Sequence, residues 1–252
     1  MGGNMDAQVL TTGQGRRIAF HQTAGSGPGV VFLGGFRSDV TGTKAQFLQE
    51  WAAAQGRAFL RFDYSGHGGS SGDFLDGVIG DWFEDALAAV QSLTQGPQVL
   101  VGSSMGGWIA LLLARSIPER IAGLVGVAAA PDFTEDGMWA GFTADQRAEL
   151  AATGQVATPS DYSDDPYIIT RRLIEEGRER LVLRSPLHLP FPVRLLQGSA
   201  DVDVPPSVAL RLFDHATSPD MRLVLVKAAD HRFSSPGCLA AIAAAILEVT
   251  PH

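Results

Sequence analysis

The chain has 252 residues, 45% hydrophobic and 18% charged, a composition that excludes intrinsic disorder and is enough for one sizeable core. Its 19 basic and 27 acidic residues give a formal net charge of −8, and with no basic run this argues against nucleic acid as a partner. Apolar stretches such as IAGLVGVAAAP fall short of the ~18 residues of a membrane span, MGGNMDAQ lacks the basic-then-apolar pattern of a signal peptide, and the single Cys238 fits a reducing, cytoplasmic setting.

In chain order, the first apolar segments, near Gln8–Thr12 and Arg17–Gln22, are expected to form an antiparallel edge. Gly29–Gly35, Ala58–Tyr64, Val99–Ser104, Leu124–Ala130, Val193–Ser199 and Leu223–Ala229 are short apolar runs. Several are unbroken, as expected of strands covered on both faces. Helical patterns lie between them. Phe47, Leu48 and Trp51 share a face; so do Trp82, Phe83, Ala86, Leu87 and Val90, and later Leu239, Ile242, Ile246 and Leu247. Strand and helix in alternation predict an α/β fold, a parallel sheet wrapped by helices.

One region breaks the rhythm. From Asp132 to about Leu189 no convincing strand can be read, and DFTEDGMWAGF and SDYSDDPYIITRRLIEEGRERL suggest helices and loops. A structureless loop of that length would be unusual, so 132–189 is expected to be a helical insertion capping a core made of 1–131 and 190–252. Met138, Trp139 and Phe142 are candidates for an apolar acyl pocket there, or equally for the insertion's own core.

Two stretches fit G-x-S-x-G, a pattern that exposes a nucleophilic serine on a sharp strand-to-helix turn: Gly68–Gly72 around Ser70, and Gly102–Gly106 around Ser104. Ser104 has VLV close before it and WIALLLAR close after it. Ser70 lies six residues past the apparent strand end at Tyr64, with no helix following, and reads as part of a glycine-rich turn. Ser103 is out of frame, with Val101 and Met105 at its −2 and +2 positions. A serine hydroxyl needs an oriented base. Among His21, His67, His188, His215, His231 and His252, only His231 lies both downstream of Ser104 and at a strand's C-terminal end. Asp201, Asp203 and Asp132 are the candidate acids, each near a strand end.

Taken together, FLGGF, RFDYSGHGGSSG, VGSSMGG, LLQGSADVDVP and DHR resemble the α/β-hydrolase family over nearly the whole chain. The resemblance implies an eight-stranded, mostly parallel sheet with the cap inserted after the sixth strand. It assigns Ser104 as nucleophile, His231 as base and Asp201 as acid, with the backbone N–H groups of Phe36 and Met105 as oxyanion hole. GTKA, RFDYSG, GPQVLVGSSMGGW, PVRLLQGSADVDVP and DHR are further similar to the palmitoyl-protein thioesterase and mycophenolic acid acyl-glucuronide esterase subgroup, of which the chain looks like a bacterial-type relative. The implied activity is hydrolysis of carboxylic esters or thioesters of small molecules or acylated peptides, with no cofactor and no metal. A carbon–carbon bond hydrolase could use the same triad, and a ligand-binding protein could share the fold. A dehalogenase would want a carboxylate at position 104.

Overall fold

The computed structural model describes residues 7–159 and 166–250. Strands β1 (Gln8–Thr11), β2 (Arg17–Thr23), β3 (Ser26–Leu33), β4 (Arg57–Phe62), β5 (Gln98–Ser103) and β6 (Ile121–Val127) supply the first part of an eight-stranded sheet. Between β6 and the next strand of that sheet come β7 (Gln155–Thr158), β8 (Tyr167–Thr170) and the two-residue β9 (Leu187–His188). β10 (Val193–Gly198), the short β11 (Ala216–Thr217) and β12 (Met221–Val226) complete the strands. The large sheet runs β1-β2-β4-β3-β5-β6-β10-β12; its β1–β2 and β2–β4 pairs are antiparallel and the rest are parallel.

The helices are α1 (Thr43–Ala54), α2 (Ile79–Leu93), α3 (Met105–Ser116), α4 (Ala144–Thr153), α5 (Arg171–Arg178), α6 (Pro206–His215) and α7 (Pro236–Val249). Strand alternation divides the core into two layers. Val30 and Phe32 of β3 pack with α1 and α7 through Leu48, Ala52, Ile242 and Ile246. Val31 and Leu33 face the other way, against α2 and α3 through Trp82, Ala86, Trp108 and Ile109. Both faces are covered, which is why the central strands are apolar without interruption. Strand β3 sits between β4 and β5, so the chain leaves it to one side and returns on the other. In an open parallel sheet such a switch point opens a crevice at the strands' C-terminal ends.

Three details differ from the sequence reading. The run assigned to Leu124–Ala130 begins earlier and ends at Val127, because Ala128 takes φ 45 and turns the chain away. The last strand stops at Val226 for the same kind of reason, with Ala228 at φ 61. The insertion is not helical throughout. It holds α4 and α5, a π-helical turn at Thr134–Trp139 and the antiparallel β7–β8 hairpin. Each hairpin strand has only four residues, QVAT and YIIT, too short to betray a period. Residues 160–165 of the stretch read as helix and loop lie outside the described residues, as does His252.

Candidate active site

All six residues of β5 are buried, and the strand delivers the chain to Ser104 at the sheet's C-terminal edge. Ser104 has φ 54 and ψ −120, strained for any residue but glycine, and α3 starts immediately after it. A Cβ on Gly102 would overlap the Gly106 carbonyl, and one on Gly106 would overlap the Leu33 carbonyl at the end of β3. Glycine at both positions therefore lets the turn close and lets the β3 loop pack under it. Gly35 of that loop lies so near that a Cβ on it would sit 3.4 Å from the Ser104 Cβ.

His231 follows β12, and its Nε2 lies 3.1 Å from Ser104 Oγ. Its Nδ1 lies 2.9 Å from Asp201 Oδ2, in the loop after β10. A carboxylate only accepts, so Nδ1 carries the proton and Nε2 offers its lone pair to the serine hydroxyl. Asp201 has a fully buried side chain, and its Oδ1 accepts the backbone N–H groups of Asp203 at 3.1 Å and Val204 at 2.9 Å. Burial opposes its ionised form, but the bonds from His231, the Val204 N–H and Gln197 outweigh that and hold the carboxyl below its usual range.

The other candidates are engaged elsewhere. Ser70 Oγ accepts the Ala19 N–H at 2.8 Å and donates to the Asp63 carbonyl at 2.7 Å, pinning its turn onto β2. Buried Ser103 is the last residue of β5. Asp132 has a fully buried side chain and accepts the N–H groups of Val182 and Leu183 at 2.8 and 3.0 Å, far along the insertion. His67 Nδ1 donates to the Ser65 carbonyl at 3.2 Å, and His215 Nε2 to that of Ser185 at 2.8 Å. His188 Nδ1 lies 3.2 Å from Thr217 Oγ1. Asp203 stands on the cavity wall beside the site and meets Asp201 through its backbone.

Ser104 and His231 line a cavity of about 780 Å³ between the sheet's edge and the insertion. Phe36, Phe133, Met138, Phe142, Tyr167 and Ile169 form apolar wall, and Arg37, Asp39, Lys44, Asp203 and Arg232 give it a polar side. Of the oxyanion-hole candidates, Phe36 lies in the loop beside Ser104, and its ring meets those of Phe74 and Phe133 edge-on at 4.8 and 5.8 Å. Met105 is the first residue of α3, so its N–H has no acceptor within the helix. Of the three acyl-pocket candidates, Met138 and Phe142 reach the cavity and Trp139 does not. Trp139 lies instead against the guanidinium groups of Arg147 and Arg178, 5.0 and 4.7 Å from its ring centre. Its ring also meets that of Phe142 edge-on at 6.3 Å, so Trp139 backs the wall from behind instead of lining it.

Phe133, Tyr167 and Ile169 escaped the sequence reading because no periodicity ties them to Ser104; Lys44 and Gln197 did carry signals. Lys44, second residue of α1 and part of the quoted GTKA, donates to the Arg232 carbonyl beside His231; burial lowers its ammonium pKa to about 8, against Asp230. Gln197 is an uncharged polar residue in a strand whose six residues are all buried. Asp201, Asp203 and His231 bring ligand atoms within 4.8 Å of one another. Asp201 and both His231 nitrogens already have partners, so this set is a poor cation cradle.

A family model described as the alpha/beta hydrolase family matches residues 30–249. The mitochondrial palmitoyl-protein thioesterase ABHD10 of Rattus norvegicus is 36% identical over 216 residues, 85% of this chain and 72% of that protein. A crystal structure from Agrobacterium vitis S4 superposes with a TM-score of 0.93 at 42% identity, covering 98% of this chain and 99% of the other. Alpha/beta hydrolase domain-containing protein 10 from mouse superposes with a TM-score of 0.89 at 32% identity, covering 96% and 97%.

Proposed function

The chain belongs to the alpha/beta hydrolase family, and on that premise we propose that it hydrolyses carboxylic esters or thioesters through a Ser104–His231–Asp201 triad. The observation that carries this reading is the unbroken line of hydrogen bonds from Ser104 Oγ to His231 at 3.1 Å and from His231 to Asp201 at 2.9 Å, opening on the cavity. Relatives named palmitoyl-protein thioesterase support the bond type.

The chemistry follows from the geometry. Ser104 attacks the acyl carbonyl while His231 Nε2 takes its proton. Asp201 keeps the imidazole in the required tautomer and stabilises the imidazolium. The N–H groups of Phe36 and Met105 receive the developing oxyanion, each such donor contributing roughly 3–4 kcal/mol in comparable sites. His231 returns the proton to the departing alcohol or thiol, and water activated by the same nitrogen then releases the acyl group. The apolar wall of Phe36, Phe133, Met138, Phe142 and Ile169 suits an acyl chain. In this reading 1–131 and 190–252 are the catalytic core and 132–189 is a cap that selects the substrate. The lone, buried Cys238 supports a reducing, cytoplasmic compartment, which fractionation of the producing cell tests.

The deciding experiment combines fluorophosphonate labelling with a panel of p-nitrophenyl esters, acyl thioesters and acyl glucuronides. The expected result is an adduct on Ser104 and turnover of several panel members. An adduct on Ser104 without turnover of any ester or thioester overturns the substrate class and favours a carbon–carbon hydrolase.

A further inference from the structure

Strand β10 reads VRLLQG, and Gln197 inside it is 0% exposed. A carboxamide so buried is costly unless it is bonded. Its Nε2 donates to Asp201 Oδ2 at 2.9 Å and to the Val204 carbonyl at 2.9 Å. Both partners are acceptors, so the amide orientation is dictated; turned over, it would point its oxygen at a carboxylate and a carbonyl. Its own Oε1 is buried and has no hydrogen-bond partner among the described residues. The side chain is thus held here for its nitrogen, at the expense of its oxygen.

The oxygen it serves is the one that His231 uses. Asp201 Oδ2 takes the His231 Nδ1–H at 2.9 Å and the Gln197 N–H at 2.9 Å, while Oδ1 takes two backbone N–H groups. We propose that Gln197 is a positioning residue that fixes the Asp201 carboxylate and draws charge from the oxygen facing His231, and so sets the basicity of His231. This rests on the triad reading given above. A carboxylate oxygen shared by two donors pulls less strongly on either proton. Without Gln197, Oδ2 faces His231 alone, the imidazolium is better stabilised, and His231 gives up its proton at higher pH. The hydrogen bonds holding Asp201 below the usual carboxylate range, Gln197's among them, agree with this.

The charged groups around the pair are Asp203 on the acid loop, Asp230 and Arg232 beside His231, and Lys44 of α1. An uncharged replacement at 197 leaves all four in place, so a moved pH profile reads the lost N–H. Gln197 is also absent from the cavity wall, so substrate affinity is a separate readout.

The test measures kcat, KM and the rate of fluorophosphonate labelling from about pH 5 to about pH 9, across the histidine range. Wild type is compared with Gln197→Met, Gln197→Leu and Asp201→Asn, each checked for folding. The proposal expects the acidic limb of both Gln197 variants to move up by about 0.5–1 pH unit. It also expects kcat to fall about tenfold from lost orientation, with KM within about twofold of wild type. Should neither apolar variant fold, Gln197→Glu keeps the volume, and its labelling rate must drop as its own carboxyl ionises. A folded variant with the wild-type profile, whatever its kcat, overturns the proposal and leaves the triad standing. A wild-type profile in Asp201→Asn overturns both.

Discussion

The turn at Gly102–Gly106 and the insertion between β6 and β10 face the same cavity and are held by opposite means. The turn is fixed by backbone sterics: Ser104 sits at φ 54 because the two glycines let strand, loop and helix meet, and a side chain at either would overlap backbone. The insertion is held by side chains. Asp132 binds the Val182 and Leu183 N–H groups, Arg178 meets Glu135 at 2.6 Å, and Trp139 lies between Arg147 and Arg178. The half-exposed Arg178–Glu135 pair contributes about 0–1 kcal/mol and can be exchanged singly, whereas the buried Asp132 carboxylate is the costly contact of the set. A nucleophile held within a few tenths of an ångström belongs on the first kind of construction. A wall that fits one acyl group rather than another belongs on the second.

The largest expected effect breaks the first region outright. Ser104→Ala should lower kcat by about 10⁶ and abolish fluorophosphonate labelling. The matching change in the other G-x-S-x-G turn, Ser70→Ala, should keep activity within about threefold. Its cost is stability: the buried Ala19 N–H loses its acceptor, worth about 1–3 kcal/mol. Thermal unfolding and labelling of both variants check this. An adduct on Ser70 would erase the distinction between the turns.

Next comes Asp201, the proposed acid. Asp201→Asn should cost about 10⁴ in kcat, because the amide favours the wrong imidazole tautomer. Asp203→Asn should cost less than about tenfold, since that residue reaches Asp201 through its backbone N–H. Asp201 is held below the usual carboxylate range in the fold. Its stabilising contribution is therefore present above about pH 4 and is lost as pH falls through its lower folded value. Acid unfolding of Asp201→Asn should accordingly be less steep than that of wild type in that window.

What could be read from the sequence follows the same division. The strands around β5, the helix after it and the order Ser104, Asp201, His231 were legible, because unbroken apolar runs and paired glycines are local consequences of a buried parallel sheet. Ser70 was separable from Ser104 on strand and helix context alone. In the insertion the sequence carries no sign of the β7–β8 hairpin and nothing that separates Trp139 from Met138 and Phe142. The direction of Trp139 depends on a π-helical turn and on two arginines from other elements, Arg147 of α4 and Arg178 of α5, and neither leaves a local pattern. Gln197 was visible as a polar residue in an apolar run, but its meaning depends on a bond to a residue four places on, across a loop.

Stability should also divide the two regions. Gly106→Ala forces a Cβ into the Leu33 carbonyl, so it should destabilise by about 1–3 kcal/mol or more and disturb turnover of every substrate alike. Asp132→Ala strands two buried N–H groups at about 1–3 kcal/mol each. The loss there falls on the insertion, so the ratio of long-chain to short-chain activity should change more than turnover of an acetate ester. Denaturant melts and a two-substrate assay measure both. Uniform loss of activity in Asp132→Ala would mean that the insertion and the turn are not separable.

The smallest effect is the most discriminating within the insertion. Each buried CH₂ of an acyl chain adds roughly 0.8 kcal/mol of binding, so three added methylenes can raise kcat/KM by about fiftyfold until the cavity is full. Phe142 and Met138 form part of that wall, whereas Trp139 packs on Arg147 and Arg178. Phe142→Ala opens space at the wall and should flatten the chain-length profile or move its optimum to longer esters by a few methylenes, with a few-fold change in kcat/KM at most lengths. Acetate-ester turnover should stay within about twofold, because a two-carbon acyl group has little apolar surface to lose at that wall. Trp139→Ala removes two cation–π contacts worth about 0.5–1 kcal/mol each at exposed sites, so it should lower the melting temperature and leave the profile in place. The check is kcat/KM for p-nitrophenyl esters from acetate upward, set beside thermal melts of the two variants. A profile moved by Trp139→Ala and not by Phe142→Ala would reverse the assignment of the wall: the acyl chain would then run outward past the arginines rather than along the face formed by Phe133, Met138 and Phe142.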